Sequence, residues 1–388
     1  MTELIAAGDA RALARALVQI DSRNPTLVAG APGERTCAHF LRDVLHAWGF
    51  HTDLQDAVIG RPNLVARIGI PRGGRSLMFN GHLDVVGVEG MVHAPFSGEE
   101  QDGRLYGRGS ADMKGGIAAM CAGAWRAAQA GTRGEIIIAA VADEEYESLG
   151  TRALLARGIR ADGAIVVEPT GLAIMPAHRG FVWIEVAVTG HAAHGSRWDI
   201  GVDAIRHAGL LLAELDRIDA EELPLAAHPL LGRGSLHASL IEGGTGMSTY
   251  PDRCVFKLER RSLPGESPSD IIAEVERACA AVRARRPNFV AEVRLLVTQR
   301  PSDVPVDAPL VRELAHALEG KGESVRIEGM SAWTDAALLN EAGIPAVCFG
   351  PGDISLAHAA EEYIPLDEID RATDVLGSFA QRWGYASP

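Results

Sequence analysis

The sequence predicts an α/β protein: a layered domain with a central, mostly parallel sheet and helices on both faces, interrupted by an inserted α+β domain. Three observations predict it. At 388 residues the chain exceeds the usual size of a single core, which favours two domains. From residue 63 onward, short apolar runs alternate with a small-residue helical segment, in the strand, helix, strand rhythm of a layered sheet. Between roughly 180 and 296 the texture changes to half-exposed alternating strands separated by helical segments.

Residues 9–20 and 34–47 carry apolar positions at helical spacing. "NLVARIG" (63–69) and "SLMFNGHLDVV" (76–86) read as strands with Gly punctuation, followed by a small-residue helix at 115–130 and the strand "EIIIAAVA". "GAIVVEP" (163–169) repeats the pattern of a strand ending in an acid, and "IPAVCFGPG" (344–352) supplies a further strand. In the middle region, "FVWIEVAVTG" precedes a helix at "GVDAIRHAGLLLAELDRI". Two strands ("SLHASLIEGG", "RCVFKLERRSL"), a helix at 268–285 and the strand "FVAEVRLLVT" follow. The order β-α-β-β-α-β is the ferredoxin-like arrangement. The expected division is 1–179, an insertion at 180–296, and 297–388.

Composition narrows the functional classes. With 47% hydrophobic and 23% charged residues the chain is ordinary for a globular protein, so disorder is not indicated. The 51 acidic against 37 basic side chains give a net charge of -14, the wrong sign for a nucleic-acid or anionic-membrane binder. A cation or a small molecule is the expected partner. The five cysteines, Cys37, Cys121, Cys254, Cys279 and Cys348, are scattered and lack CxxC spacing, which argues against a disulfide framework or thiolate zinc cluster and fits a reducing compartment. The first 20 residues have charges where a signal peptide would have an unbroken apolar stretch, and no run of about 18 apolar residues occurs. A cytoplasmic protein without a membrane span is expected.

The stretch "EIIIAAVADEEYE" (135–147) ends a greasy strand in three adjacent carboxylates, which should repel unless something compensates them. Four other apolar runs are also followed by polar groups: "NGHLDVV" with His82 and Asp84, "GRGSADMKGG" with Asp112, "VVEP" with Glu168, and "SLAHAAEEY" with His358. Ligands of open α/β sheets gather beyond the carboxyl ends of strands. There His82, Asp112, Glu145, Glu168 and His358 could converge. Two imidazoles and three carboxylates suit a pair of divalent ions, with Asp112 able to bridge them, zinc the default and cobalt or manganese the alternatives. Such a pair is equipped for amide hydrolysis, and a carboxylate that is not a ligand must then accept the proton of the attacking water. Singly, each residue has an ordinary explanation: Asp112 as a helix cap, Asp84 as an Asx-turn, Glu168 as a strand end before Pro169. Their coincidence at similar structural positions weakens these explanations and sets the metal reading level with them.

"GHLDVV", "LYGRGSADMKGG", "DEE", "VEPT" and "AH" followed by "EEY" resemble, in order and spacing, the M20 metallopeptidases, a family of dizinc aminoacylases, deacetylases and carboxypeptidases. The resemblance implies a catalytic α/β domain interrupted by a lid that often mediates dimerisation. It implies His82 and Glu168 on one metal, Glu145 and His358 on the other, Asp112 bridging, Asp84 orienting His82 and Glu144 as general base. His194, with His191 as rival, matches the lid histidine that stabilises the oxyanion, commonly in a partner subunit; Arg261 rather than Arg260 matches the substrate-carboxylate clamp. Ser248 stands where the family commonly has Asn, Gly87 where it has Pro, and the Trp usual before "PF" is absent. "EPT" with "AHRG" is most similar to the acetylornithine deacetylase and succinyl-diaminopimelate desuccinylase branch. The implied activity is hydrolysis of a small N-acyl amino acid by a cytoplasmic homodimer. The alternatives are a dipeptidase or carboxypeptidase with the same centre, and an inactive metal-binding dimerisation module. Because successive side chains on a strand point apart, Glu144 and Glu145 can serve one site only if the chain turns where the strand ends.

Overall fold

A computed structural model describes residues 5–69 and 72–385. The chain forms two compact units: one comprises the residues up to Pro176 with Val304–Glu328 and those from Thr334, the other Ala177–Asp303 with Gly329–Trp333.

The first unit opens with helices α1 (Ala10–Val18) and α2 (Arg35–Ala47), then strands β1 (His51–Val58), β2 (Arg61–Ile68) and β3 (Leu77–His82). Strands β4 (Glu99–Gln101) and β5 (Arg104–Tyr106) precede helix α3 (Gly115–Gln129), β6 (Ile136–Val141), α4 (Leu149–Ala156) and β7 (Ala164–Val166). β3, β6 and β7 are buried along their whole lengths, which is why they read as continuous apolar runs and not as alternation. In β8 (Ile174–His178) the chain passes into the second unit.

The second unit contains β9 (Gly180–Thr189), α5 (Ala204–Arg217), the small hairpin β10 (Ala227–His228) and β11 (Gly232–Arg233), β12 (Ser235–Gly243), β13 (Arg253–Ser262), α6 (Pro268–Arg285), β14 (Val290–Gln299) and β15 (Ser302–Asp303). Its antiparallel sheet runs β12-β13-β9-β14, the ferredoxin-like order. Alternation along β9 puts Val182, Ile184, Val186 and Val188 into a core with Ala208, Leu211 and Leu215 of α5 and Val275 and Val282 of α6. Asp203 caps α5 by accepting from the Arg206 N–H at 2.9 Å, and Ser267 with Asp270 forms a capping box on α6.

α7 (Pro309–Gly320), β16 (Ile327–Met330), α8 (Ala336–Glu341), β17 (Ala346–Cys348), β18 (Tyr363–Pro365) and α9 (Leu366–Tyr385) complete the chain. In the first unit's sheet the order is β1-β2-β6-β3-β7-β17-β8. The parallel portion expected from the sequence is its centre, β6-β3-β7-β17; β1, β2 and β8 add antiparallel pairs, so the sheet is mixed. The tight connection between β1 and β2 permits only a hairpin, whereas parallel neighbours need long crossovers. In the parallel register His82 lies beside Val141, and Asn80 beside Val166. The segments leaving β3, β6 and β7 therefore emerge together at one edge.

Helix α3 packs so closely behind that edge that a Cβ on Gly116 would lie 2.2 Å from the Val167 carbonyl oxygen. Gly116→Ala should therefore displace the segment carrying Glu168 and cost about 1–3 kcal/mol of stability, measured by urea unfolding. An unchanged midpoint would refute that tight approach.

Candidate metal centre

β3 ends in His82, whose ring Nδ1 lies 2.9 Å from the backbone carbonyl oxygen of Asp84 and 3.7 Å from its carboxylate. The carbonyl is thus the nearer acceptor, leaving Nε2 available to a ligand; that atom is 3.1 Å from Asp112 Oδ1. The Asp84 carboxylate faces elsewhere: it accepts the backbone N–H groups of Glu144 at 3.1 Å and Glu145 at 3.2 Å.

That contact shapes the end of β6. Asp143 adopts a left-handed φ of 67°, and its carbonyl accepts the N–H of Ser148 at 2.6 Å, so the chain turns as soon as the strand ends. The turn separates the three acids. Asp143, 1% exposed, points to Arg61 at 2.7 Å and Asn24 at 3.0 Å, and its N–H donates to Glu34. Arg61 also pairs with buried Glu34. Glu145 reaches His358 Nε2, with its two oxygens 3.0 and 3.1 Å away.

Asp112 sits in the turn that leads into α3, and Glu362 holds that turn by accepting the N–H groups of Ala111 at 3.1 Å and Asp112 at 3.2 Å while pairing with Arg108 at 2.7 Å. The Asp112 carboxylate presents Oδ1 to His82 and Oδ2 to His358, the latter at 3.5 Å. Glu168 follows β7. His82, Asp112 and Glu168 offer ligand atoms within 4.8 Å of one another, and so do Asp112, Glu145 and His358. Asp112 belongs to both groups.

The electrostatics suit a cation in each group. Burial, reinforced by neighbouring carboxylates that include Glu168 for Glu144 and Asp112 for Glu168, holds both glutamates well above the usual carboxylate range. Burial similarly pushes Asp84 up to about 7, against the pull of His82. For His82 burial is the largest influence and opposes the charged ring, but the hydrogen bond to Asp112 together with the charges of Asp112, Glu144 and Asp84 raises the pKa well above that of an ordinary histidine. Hydrogen bonds to Asp112 and Glu145 raise His358 to about 10. Asp112 is held low because the bonds from His358 and His82 overcome its burial. The donor set, mixed imidazole and carboxylate with one shared carboxylate, fits a pair of borderline metal ions.

The other candidate residues lie in the second unit. His194 is exposed and has Nδ1 2.8 Å from the Ser196 hydroxyl; His191 is exposed as well, in a backbone bridge to Val202. Ser248 accepts the Gly195 N–H at 2.7 Å through its carbonyl oxygen. Arg260 is buried and engaged with Glu266 at 2.7 Å and Glu274 at 3.3 Å. Arg261 lies 5.5 Å from the Phe181 ring centroid, 3.6 Å from Glu259, and donates to the Ser331 carbonyl. Sequence reasoning did not single out Asn24, Glu34, Arg61 or Arg108, and assigned nothing to Glu362. Only "EEY" carried a signal, because Glu362 lies four residues after His358.

The model of "Peptidase family M20/M25/M40" matches residues 78–382. This chain belongs to peptidase family M20. Acetylornithine deacetylase of Myxococcus xanthus is 34% identical over 342 residues, covering 86% of this chain and 88% of that protein. N-formyl-4-amino-5-aminomethyl-2-methylpyrimidine deformylase of Bacillus subtilis is 29% identical over 376 residues, covering 89% and 88%. Among solved structures, the aminopeptidase PepT of Bacillus cereus superposes with a TM-score of 0.80 at 21% identity, covering 98% of this chain and 99% of that one. A dinuclear metal-binding M20 peptidase of Bacillus subtilis gives 0.74 at 16% identity, covering 96% of this chain and 97% of that one. The chain is therefore an M20 hydrolase, with the fold of a dinuclear metal-binding peptidase. No helix among the described residues is long and apolar enough to cross a membrane.

Hydrogen bonds keep a proton on His358 up to about pH 10, so an ion bound through that imidazole would have to displace it. Binding should therefore release protons, and affinity should rise with pH toward that value. Calorimetric zinc titrations of metal-stripped protein in buffers of different ionisation heat should give buffer-dependent enthalpies; buffer-independent enthalpies would contradict the protonated resting state.

Proposed function

We propose that this M20 enzyme hydrolyses the amide of a small N-acyl amino acid, in the manner of an acetylornithine deacetylase, using two divalent ions, by default zinc. The observation that carries the reading is Asp112, whose two carboxylate oxygens face the two histidines of two separate donor groups. In this reading His82 and Glu168 hold one ion, Glu145 and His358 the other, and Asp112 both. The ions, when bound, polarise the scissile carbonyl and acidify a water.

The chain's own residues do the rest. Glu144 adjoins the ligands without belonging to either donor group, and burial raises its proton affinity. It takes the proton of the attacking water and returns it to the departing nitrogen. Asp84 fixes the Glu144–Glu145 turn through two backbone hydrogen bonds and receives the His82 ring on its carbonyl. His194 donates to the developing oxyanion, a contribution on the order of 3 to 4 kcal/mol. Arg261, whose planar fork suits a carboxylate, clamps the acid end of the substrate, and Ser248 is the second substrate-binding residue of this proposal.

The relatives support the acyl-amide class through their names, two of which are a deacetylase and a deformylase. A dipeptidase or carboxypeptidase with the same centre is the competing specificity. The second unit, corresponding to the insertion at 180–296, acts in this proposal as lid and dimerisation domain. Its edge strand β12 leaves Leu240 63% and Ile241 58% exposed, a surface suited to a second copy. A cytoplasmic location accords with five buried, unpaired cysteines.

A panel of N-acetyl, N-succinyl, N-formyl and N-carbamoyl amino acids and dipeptides tests the substrate class; hydrolysis confined to dipeptides would overturn the deacylase assignment. Glu144→Ala should abolish turnover while retaining both ions, whereas Glu145→Ala should lose one, as read by metal analysis after dialysis. Equal metal loss in both variants would refute the division of roles. His194→Ala should lower kcat on the order of 100- to 1000-fold; an unchanged kcat would remove His194 from the mechanism.

A further inference from the structure

The base and ligand roles of Glu144 and Glu145 require the turn after β6 to be fixed, yet the turn lies between two buried carboxylates. Asp84 holds it from one side and Asp143 begins it. One side chain stands between these acids. Asn24, 0% exposed, donates from Nδ2 to Asp84 Oδ2 at 2.8 Å and to Asp143 Oδ1 at 3.0 Å. An amide nitrogen carries two protons, so it can satisfy both acceptors at once. Its Oδ1 accepts the Thr26 N–H at 2.9 Å, and its backbone N–H donates to Val85 O at 2.9 Å. The Asn24 amide is therefore anchored both to its own loop and to the segment that follows His82.

We infer that Asn24 is a positioning residue for the reaction: its amide links Asp84 to Asp143 and so aims Glu144 and Glu145 at the centre. The inference rests on the proposed roles of those two glutamates. Asn is demanded by the chemistry of the spot. Alanine would leave two buried carboxylates without a donor they now share, and aspartate, of the same shape, would remove both donors and add a third negative charge. Asn24 touches neither donor group through its side chain, so its effect passes entirely through the turn.

The test uses Asn24→Ala and Asn24→Asp in the full chain. Each should lower kcat per folded molecule about 10- to 100-fold, with KM changed much less, and should weaken zinc affinity, read by competition with a chromophoric chelator, by a similar factor. A lower unfolding midpoint with kcat and zinc affinity unchanged would make Asn24 a purely structural residue and overturn the inference. If neither variant folds, hydrogen exchange on the wild-type chain decides: protected amides at Glu144 and Glu145 support the clamp, and exchange at exposed-loop rates overturns it. Wild-type protein that binds no zinc and hydrolyses nothing in the substrate panel fails the functional reading, while the exchange measurement still judges the clamp separately.

Discussion

Buried negative charge is the constraint on which the first unit depends. Asp84, Asp112, Asp143, Glu34, Glu168 and Glu362 are each at most 8% exposed, and Glu144 and Glu145 stand among them at the carboxyl end of the parallel strands. Unpaired carboxylates in such surroundings are costly. The molecule divides them. One set is neutralised by the chain itself: Arg61 serves Glu34 and Asp143, Arg108 serves Glu362, and Asn24 with two backbone amides serves Asp84. The other set, Asp112, Glu145 and Glu168, faces two histidines and asks for cations.

This division explains why the turn after β6 has the shape it has. A strand that simply continued would send Glu144 and Glu145 to opposite faces. The left-handed Asp143 and the Asp84 contacts bring both backbone amides onto one carboxylate, so the neighbouring acids can share a site. The same economy appears at Asp112, where Glu362 holds the turn from behind and frees both carboxylate oxygens to face His82 and His358. Support and chemistry are carried by different acids within a few residues of each other.

Much of the fold was legible because burial writes itself into residue type. β3, β6 and β7, buried on both faces, appear as apolar runs; β9, buried on one, alternates, which identified the ferredoxin-like order. The antiparallel β1–β2 flank has no apolar signal, because no residue of β1, HTDLQDAV, is fully buried. The return of Gly329–Trp333 to the second unit also has no compositional signal. In the site, His82, Asp112, Glu145, Glu168 and His358 stood out because each follows an apolar run. Asn24, Glu34, Arg61 and Arg108 did not, since residues that pair with one another through space, as Arg61 does with Asp143 across 82 positions, have no local pattern. Asp143 has no readable role in the sequence for the same reason: its partner Arg61 lies in β2.

The central claim is that two cations flank Asp112. Anomalous diffraction from crystals of zinc-loaded protein, collected on both sides of the zinc edge, measures this directly. The account predicts two peaks, one between His82 and Glu168 and one between Glu145 and His358, with the Asp112 carboxylate between them. A single peak, or peaks that do not have Asp112 in common, would contradict it.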